Sequence, residues 1–399
     1  NAPRFLAKAE RTLGFPIDVI TGYEEARLIY LGVAHLLPAS DQRRLVIDIG
    51  GGSTEFIIGR TLTADRLASL PIGCVNMTQR FFRDGKLSAD AFEAAETAAR
   101  TEVEAIAASF GSDAWDVAYA SSGTALALAE ILESNGLSQG GITPDGLSRL
   151  RARMIAAGDA KRLNLAALKT PRATVLAGGL AVMSAALSEL DARQINPVGG
   201  ALRLGVLYDL LGRTEHQDAR TATIEQFLAR YHVDRAHAGR VASLAVDLYR
   251  RATHGADAVS SERLEWAALV HEIGISVSHT GFHKHGAYIL EHAEMPGFSA
   301  REQAVLARLV LGCRGGLSKL GDALEDGNFR AMLFALRLAV LFHHSRRALD
   351  LPRLTVRVGE EVEFAVSAGW LKAHPLSNHL LERERDEWAD AGYPWRAAT

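Results

Sequence analysis

The stretch LVIDIGGGSTEFIIG, residues 45–59, constrains this chain more than any other. Leu45–Ile49 and Glu55–Ile58 read as two short apolar strands, and the glycine turn Gly50-Gly51-Gly52-Ser53 joins them into a tight hairpin. Glycine lets such a turn adopt φ > 0 and bring its backbone to a ligand with no Cβ in the way. Successive N–H groups in the turn would form an anion nest. Asp48 closes the first strand and Glu55 opens the second. Two carboxylates beside a phosphate-sized nest repel a bare phosphate, but they suit a bound Mg²⁺ or an attacking water, because a hard cation takes oxygen ligands next to substrate phosphates. The alternative is a plain glycine hairpin flanked by two solvated acids.

Around the hairpin the first half alternates β-rich and helical patterns. Ile17–Ile20, Leu67–Pro71, Val117–Ala120 and Thr174–Leu176 read as further strands, and Glu24–Leu36, Ala89–Phe110, Thr124–Asn135, Asp145–Ala157 and Gly179–Leu190 as helices. That is an α/β lobe over residues 1–212. Histidine usage then changes abruptly: of the 14, only His35 precedes residue 216. Four of the five Trp also lie in the second half. The polar run 213–218 suits a linker after Gly212, read as the C′ glycine of a helix. Residues 213–350 have almost wholly helical periodicity, as in Val241, Leu244, Ala245 and Leu248. Residues 351–399 read as a small α+β piece, a hairpin of Leu354–Val358 and Val362–Val366 followed by the helix Leu376–Ala389.

Charge excludes some functions. Lys plus Arg is 44 against 47 for Asp plus Glu, a net charge of −3, so no global basic field points to nucleic acid or a membrane surface. An anionic ligand must be held by a local site. Cys74 and Cys313 make no disulfide framework, which fits a reducing compartment and a cytoplasmic location. The apolar stretch Ala331–Phe342 carries Arg337 and falls short of the roughly 20 residues a spanning helix needs, so it reads as a core helix. The opening NAPRFLAKAERTLGF has Arg4, Lys8 and Arg11 but no apolar h-region, so it is no signal peptide, and without an initiator Met the chain is expected to begin inside a longer protein.

Seven blocks in order carry a resemblance: TGYEEARLIYLGV (21–33), DIGGGSTE (48–55), LPIGCVNMT (70–78), ASSGTALALAEI (120–131), PRATVLAGGL (171–180), GGALRLGVLYDLLGR (199–213) and HEIGISVSHTGFHKHGAYIL (271–290). With these the chain resembles the exopolyphosphatase and guanosine pentaphosphate phosphohydrolase (Ppx/GppA) family in its long form. The resemblance implies an actin-like, ribonuclease H-like α/β lobe, an HD-like helical domain and a small α+β end. It makes Glu25, the second acid of E-E-A-R, the catalytic residue, with Asp48, Gly50 and Glu55 at the remaining catalytic or metal-associated positions. By spacing alone, Glu24 and Glu25 are first-turn acids favoured by the helix dipole. Gly51, Gly52 and Ser53 of the turn are expected to bind phosphate. So are Ser122, Gly123 and Thr124, where a strand meets a helix N-terminus, an ordinary N-cap being the alternative. Mg²⁺ on Asp48 and Glu55 is the implied cofactor, with a monovalent cation such as K⁺ a second candidate. Family members also open with another actin-like lobe carrying a D-x-G-S-N-S loop. This chain has no such loop, so it is expected to hold one wall of the cleft and the end of the other lobe at about residues 1–30.

Long polyphosphate would run beyond the cleft over Arg172, Arg203, His283, Lys284, His285 and Arg314. His237 and His271 fall where an HD domain keeps two metal histidines, with His283 or His285 as a further donor. Yet Glu272 stands for the motif aspartate and Val340 for the late one, which weakens a hard-metal site. No working metal is expected there. The expected activity is Mg²⁺-dependent exopolyphosphatase hydrolysis of the terminal phosphoanhydride of inorganic polyphosphate by a homodimer. The alternatives are a pppGpp 5′-phosphohydrolase and a noncatalytic polyphosphate-binding fragment. A sugar or acetate kinase fits less well, because the E-E-A-R block and the HD-like half do not belong to one.

Overall fold

In the computed structural model, which describes residues 2–200, 202–214, 218–253, 257–347, 350–352, 354–358 and 362–397, contacts group the chain into two units. One is residues 20–218; the other joins residues 219–399 with the first nineteen. Helix α1 (Ala2–Leu13) therefore goes with the later unit. Ile17–Ile20, expected as a strand, is irregular. Its backbone groups are spent elsewhere: Ile17 N–H donates to Glu10 Oε1 at 2.9 Å, and Val19 C=O accepts from Ala300 N–H at 2.9 Å.

In the α/β unit, β1 (Arg44–Ile49), β2 (Thr54–Arg60), β3 (Thr63–Leu70), β4 (Val117–Ser121) and β5 (Asn196–Pro197) form one sheet in the order β3-β2-β1-β4-β5. β1 is antiparallel to β2, as the hairpin requires, and parallel to β4. The accompanying helices are α2 (Gly22–Leu36), α3 (Cys74–Phe81), α4 (Ala89–Phe110), α5 (Ser122–Ser134), α6 (Pro144–Ala157), α7 (Thr170–Ala173), α8 (Leu176–Glu189) and α9 (Leu202–Thr214). β1 is buried along its whole length, so each face must be covered by helices. Leu45, Ile47 and Ile49 join a core with Phe92 and Val103 of α4, Leu128 of α5 and Leu180 of α8. Val46, on the other face, joins Ile57 and the α2 stripe Ala26, Ile29, Tyr30 and Val33, a 3.6-residue repeat.

Two expectations fail in this unit. Thr174–Leu176 is not a strand: Pro171 sits in the first turn of α7, a position that suits its missing N–H, and the chain continues into α8. Gly212 is not a C′ glycine, because α9 runs on to Thr214. Of the expected linker, residues 215–217 lie outside the described residues.

The second unit packs α10 (Ala219–Arg230), α11 (Arg235–Thr253), α12 (Ala258–Leu269), α13 (Phe282–His292), α14 (Ala300–Gly312) and α15 (Gly327–Phe342) around one core. The expected core helix is α15, and only Val340 of its Ala331–Phe342 stretch is not fully buried. Arg337, inside it, donates to Glu384 Oε2 at 2.7 Å and to the Gly312 and Gly315 carbonyls at 2.7 and 2.8 Å. After α15 come β6 (Thr355–Val358), β7 (Val362–Ala365), α16 (Ala368–Ala373), α17 (Pro375–Asp390) and β8 (Trp395–Ala397), the strands forming a second sheet β6-β7-β8. This end piece shares the helical core, since the Trp388 ring centroid lies 5.2 Å from that of Phe334. Among the described residues no helix is long and apolar enough to cross a membrane.

Candidate active site

Strand parity assembles the site. Asp48 shares the face of Val46 two residues before it, and register sets it opposite Glu55 on β2 and beside Ser121 on β4, while Glu55 in turn faces Ser69 on β3. Residues paired across strands point to one face, here the face covered by α2. Glu25 sits in the first turn of α2. The hairpin acids and the helix acid thus converge although their spacing in sequence says nothing of it.

Glu24 and Glu25 part company at once. Glu24 is buried and takes the Arg27 guanidinium on both oxygens at 2.8 Å, and Arg27 also reaches Asp209 of α9 at 2.5 Å. Glu25, half-buried, lines a cleft of about 1110 Å³ with Asp48, and among the described residues no group donates to its carboxylate. Burial first, and the Asp48 charge second, push its pKa up. Asp48 is pushed up by burial too, against the pull of Ser121 Oγ, which donates to Oδ2 at 2.7 Å. Glu55 goes furthest, to about 7: burial dominates, the bonds from Ser53 and Ser69 oppose it, and Glu25 and Asp48 add repulsion. Ser69 Oγ donates to Glu55 Oε1 at 2.8 Å. Three carboxylates held in so little water, with no Lys or Arg paired to them among the described residues, are an electrostatic demand for a ligand.

The rest of the cleft wall includes Gly50, Gly51, Ser122, Gly123, Thr124, Arg172 and Arg203. Glu55, 1% exposed and paired with Asp48 across the strands, lies off the cleft wall, as do Gly52 and Ser53. The glycine turn works differently from expectation. None of Gly50, Gly51 and Gly52 has a positive φ, so the αR–αL alternation of a nest is absent. Instead the turn is braced by α3: Cys74 N–H donates to Gly50 C=O at 2.9 Å and Val75 N–H to Gly51 C=O at 3.0 Å. Gly73 makes that approach possible, because a Cβ there would lie 2.3 Å from the Gly51 carbonyl.

At the start of α5, Ser121 spends its hydroxyl on Asp48 and gives no side-chain cap. Ser122 takes φ +98, an unusual backbone for serine, of the kind found at functional sites. A Cβ on Gly123 would lie 1.8 Å from Arg172 Nη2. A guanidinium therefore rests on a helix N-terminus, and both favour an anion. Neither Arg172 nor Arg203 has a carboxylate partner among the described residues.

The other expected polyphosphate contacts lie in the helical unit, on α13 and after α14. Arg314 stacks on Phe282 at 5.8 Å. Burial, then Lys319, Lys284, Arg314 and Arg337, press His283 down to about 4, so it is a neutral ring at pH 7. Lys319, which the sequence did not single out, is itself lowered to about 8 by burial and Arg337. Ser69, Arg27 and Asp209 were not read as parts of the site, and Ser121 only through the backbone of the turn into α5; the bonds of the two serines to the acids could have been found from cross-strand register.

Two family models match the chain. One described as "Ppx/GppA phosphatase family" covers residues 1–214, and one described as "Ppx/GppA phosphatase, domain III" covers residues 219–385. Among solved structures, a Ppx/GppA family member from Aquifex aeolicus is 26% identical, over 54% of this chain and 70% of that one, with a TM-score of 0.44. An exopolyphosphatase from Cytophaga hutchinsonii is 25% identical, over 53% and 70%, with a TM-score of 0.45.

Proposed function

We propose, because the chain belongs to the Ppx/GppA phosphatase family, that it is an exopolyphosphatase, removing the terminal phosphate of inorganic polyphosphate by water. The observation that carries this reading is Glu25: a half-buried carboxylate with no described donor and a raised pKa, on a cleft that also presents the α5 N-terminus and Arg172. Hydrolysis of a phosphoanhydride needs an aligned water and stabilisation of charge on the phosphoryl oxygens, with little covalent work. Glu25 accepts the proton of the attacking water at a carboxylate oxygen. The N–H groups of Ser122, Gly123 and Thr124, with the Arg172 guanidinium, take the charge of the terminal phosphoryl group. Arg203 holds a preceding phosphate of the chain.

The donor set fits a magnesium ion. Ser121 occupies Oδ2 of Asp48, no described residue donates to Oδ1, and Glu25 repels Asp48 on the same cleft. Asp48 would hold the ion, and Glu55, off the cleft wall, adds negative charge rather than a ligand atom. When bound, Mg²⁺ supplies neutralisation of the substrate's phosphate oxygens.

Orthophosphate release from polyphosphate and from pppGpp, in Mg²⁺, tests the proposal on this chain and on Glu25→Gln. We expect release from polyphosphate, reduced about 10²-fold or more in the amide variant with KM nearly unchanged, the scale of losing a general base. Preferred release from pppGpp would make the nucleotide the substrate. Polyphosphate binding with no release would make the chain a binding module, and full activity in Glu25→Gln would remove Glu25 from the chemistry.

A further inference from the structure

The helical unit holds a second group of titratable side chains that the proposed chemistry does not use. A ring nitrogen of His237, one of His271 and a Glu272 oxygen all lie within 4.8 Å of one another, the one such cluster among the described residues. Both rings are buried, at 3% and 1% exposure. His271 Nδ1 donates to Ala268 C=O at 2.6 Å, so in the neutral ring Nε2 carries a lone pair, and that atom is buried with no hydrogen-bond partner. His237 Nε2 stands 3.7 Å from Glu272 Oε1. Two imidazoles and a carboxylate are a common transition-metal donor set, and His237 and His271 fall where an HD domain keeps two metal histidines.

The residues present do not fit one, for a reason visible in the geometry. Arg346 Nη2 lies 2.7 and 2.6 Å from the two oxygens of Glu272, and its Nη1 lies 3.5 Å from Asp234. The backbone that carries this guanidinium is itself anchored. Arg346 adopts φ +60 in the turn after α15, with its N–H on His343 C=O at 2.9 Å and its own C=O accepting from Arg240 Nη2 at 2.7 Å. A side chain on a left-handed residue is a costly arrangement that persists where the surroundings impose it. Val340, where a further carboxylate would complete the donor set, lines the same cavity of about 390 Å³ with an apolar side chain.

We propose that Arg346 is a tethered cation that fills the metal position of a His237–His271–Glu272 cluster and keeps this unit metal-free. A charge fixed to the backbone satisfies Glu272 at any free-metal concentration, whereas a bound ion would have to displace it or accept a like charge within a few ångströms. The helical unit thus carries a latent metal site that a single side chain closes.

Titration of the whole metal-stripped chain with Zn²⁺, and separately with Mn²⁺, against a chromophoric chelator tests this. The natural chain should hold no stoichiometric ion that His271→Ala releases, any ion on Asp48 of the other unit being unaffected by that change. Arg346→Met, which keeps the aliphatic stem, should bind Zn²⁺ about 100-fold or more tighter, at one per chain, the scale of removing one nearby positive charge. The gain should vanish in Arg346→Met/His271→Ala. Arg346→Lys should stay metal-poor, and near-ultraviolet circular dichroism reports whether each variant is folded. A natural chain that already holds one Zn²⁺ released by His271→Ala would overturn the proposal. So would a folded Arg346→Met with no gain in affinity.

Discussion

The acids of the cleft and the acids of the helical unit treat buried charge in opposite ways. In the α/β unit Glu25, Asp48 and Glu55 are crowded at one cleft, and the donors to Asp48 and Glu55 are serine hydroxyls. In the helical unit Glu384 and Glu272 each carry an arginine: Arg337 from the core helix and Arg346 from the turn after it. An acid with its own cation is finished and has no use for a ligand. An acid held without one raises the free energy of the empty protein, which a cation or a proton can then lower. Uncompensated charge, more than depth or size of a cavity, separates the site from the scaffold.

Removing the acid should therefore have opposite signs in the two units. Glu384→Ala strands Arg337, 3% exposed, and also takes the acceptor from Trp388 Nε1, which donates to Glu384 Oε1 at 2.7 Å. Breaking a buried pair from one side costs about 3–5 kcal/mol, and urea unfolding should read a loss of that size. A loss below about 1 kcal/mol would mean the pair is solvated and the contrast false.

Glu55→Gln should do the reverse, and only above a certain pH. Its folded pKa, about 7, lies above the ordinary glutamate value of 4.5. The fold thus prefers the protonated acid, and the stability this group contributes is fully present below pH 4.5 and lost as the pH rises through about 7. The amide stays neutral throughout. Measured in EDTA, so that no divalent ion offsets the charge, the variant should gain about 3 kcal/mol on the natural chain between pH 4.5 and pH 8. A pH-independent difference would show that Glu55 stays ionised and is stabilised by its serines.

How much of this was legible beforehand varies with how local the cause is. The hairpin, helix α4 and the core helix follow from short-range pattern, and the structure places them with matching or nearly matching bounds. Helix α3 was missed because Gly73 precedes it with no capping side chain, and β5 because two residues carry no alternation. In the site, Asp48 and Glu55 stand out in the motif itself. Nothing local separates Glu25 from Glu24, because Arg27 and its second partner, Asp209 on a distant helix, decide which acid is tied up. The glycine turn was legible as a turn but for another reason than its φ angles: the residue that needs to be glycine for close approach is Gly73.

The smallest effect we expect tests whether Arg172, a cleft arginine with no carboxylate partner among the described residues, works as a ligand group or as packing. Arg172 lies over Gly123 so closely that an alanine Cβ would come within 1.8 Å of Nη2. That atom ends a flexible side chain, so Gly123→Ala should push the guanidinium aside rather than unfold α5. In a helix alanine is favoured over glycine by up to about 1 kcal/mol, so the melting temperature should hold or rise. Losing one charge-assisted hydrogen bond to phosphate amounts to about 1.5 kcal/mol or more, so KM for polyphosphate should rise about tenfold with kcat little changed. Arg172→Ala should match it. The double variant should be no worse than Arg172→Ala, since both changes remove the same contact and cannot add. If instead Gly123→Ala lowers the melting temperature and leaves KM alone, Arg172 is a packing residue like Arg337, and the cleft loses one of the charges that set it apart from the helical unit.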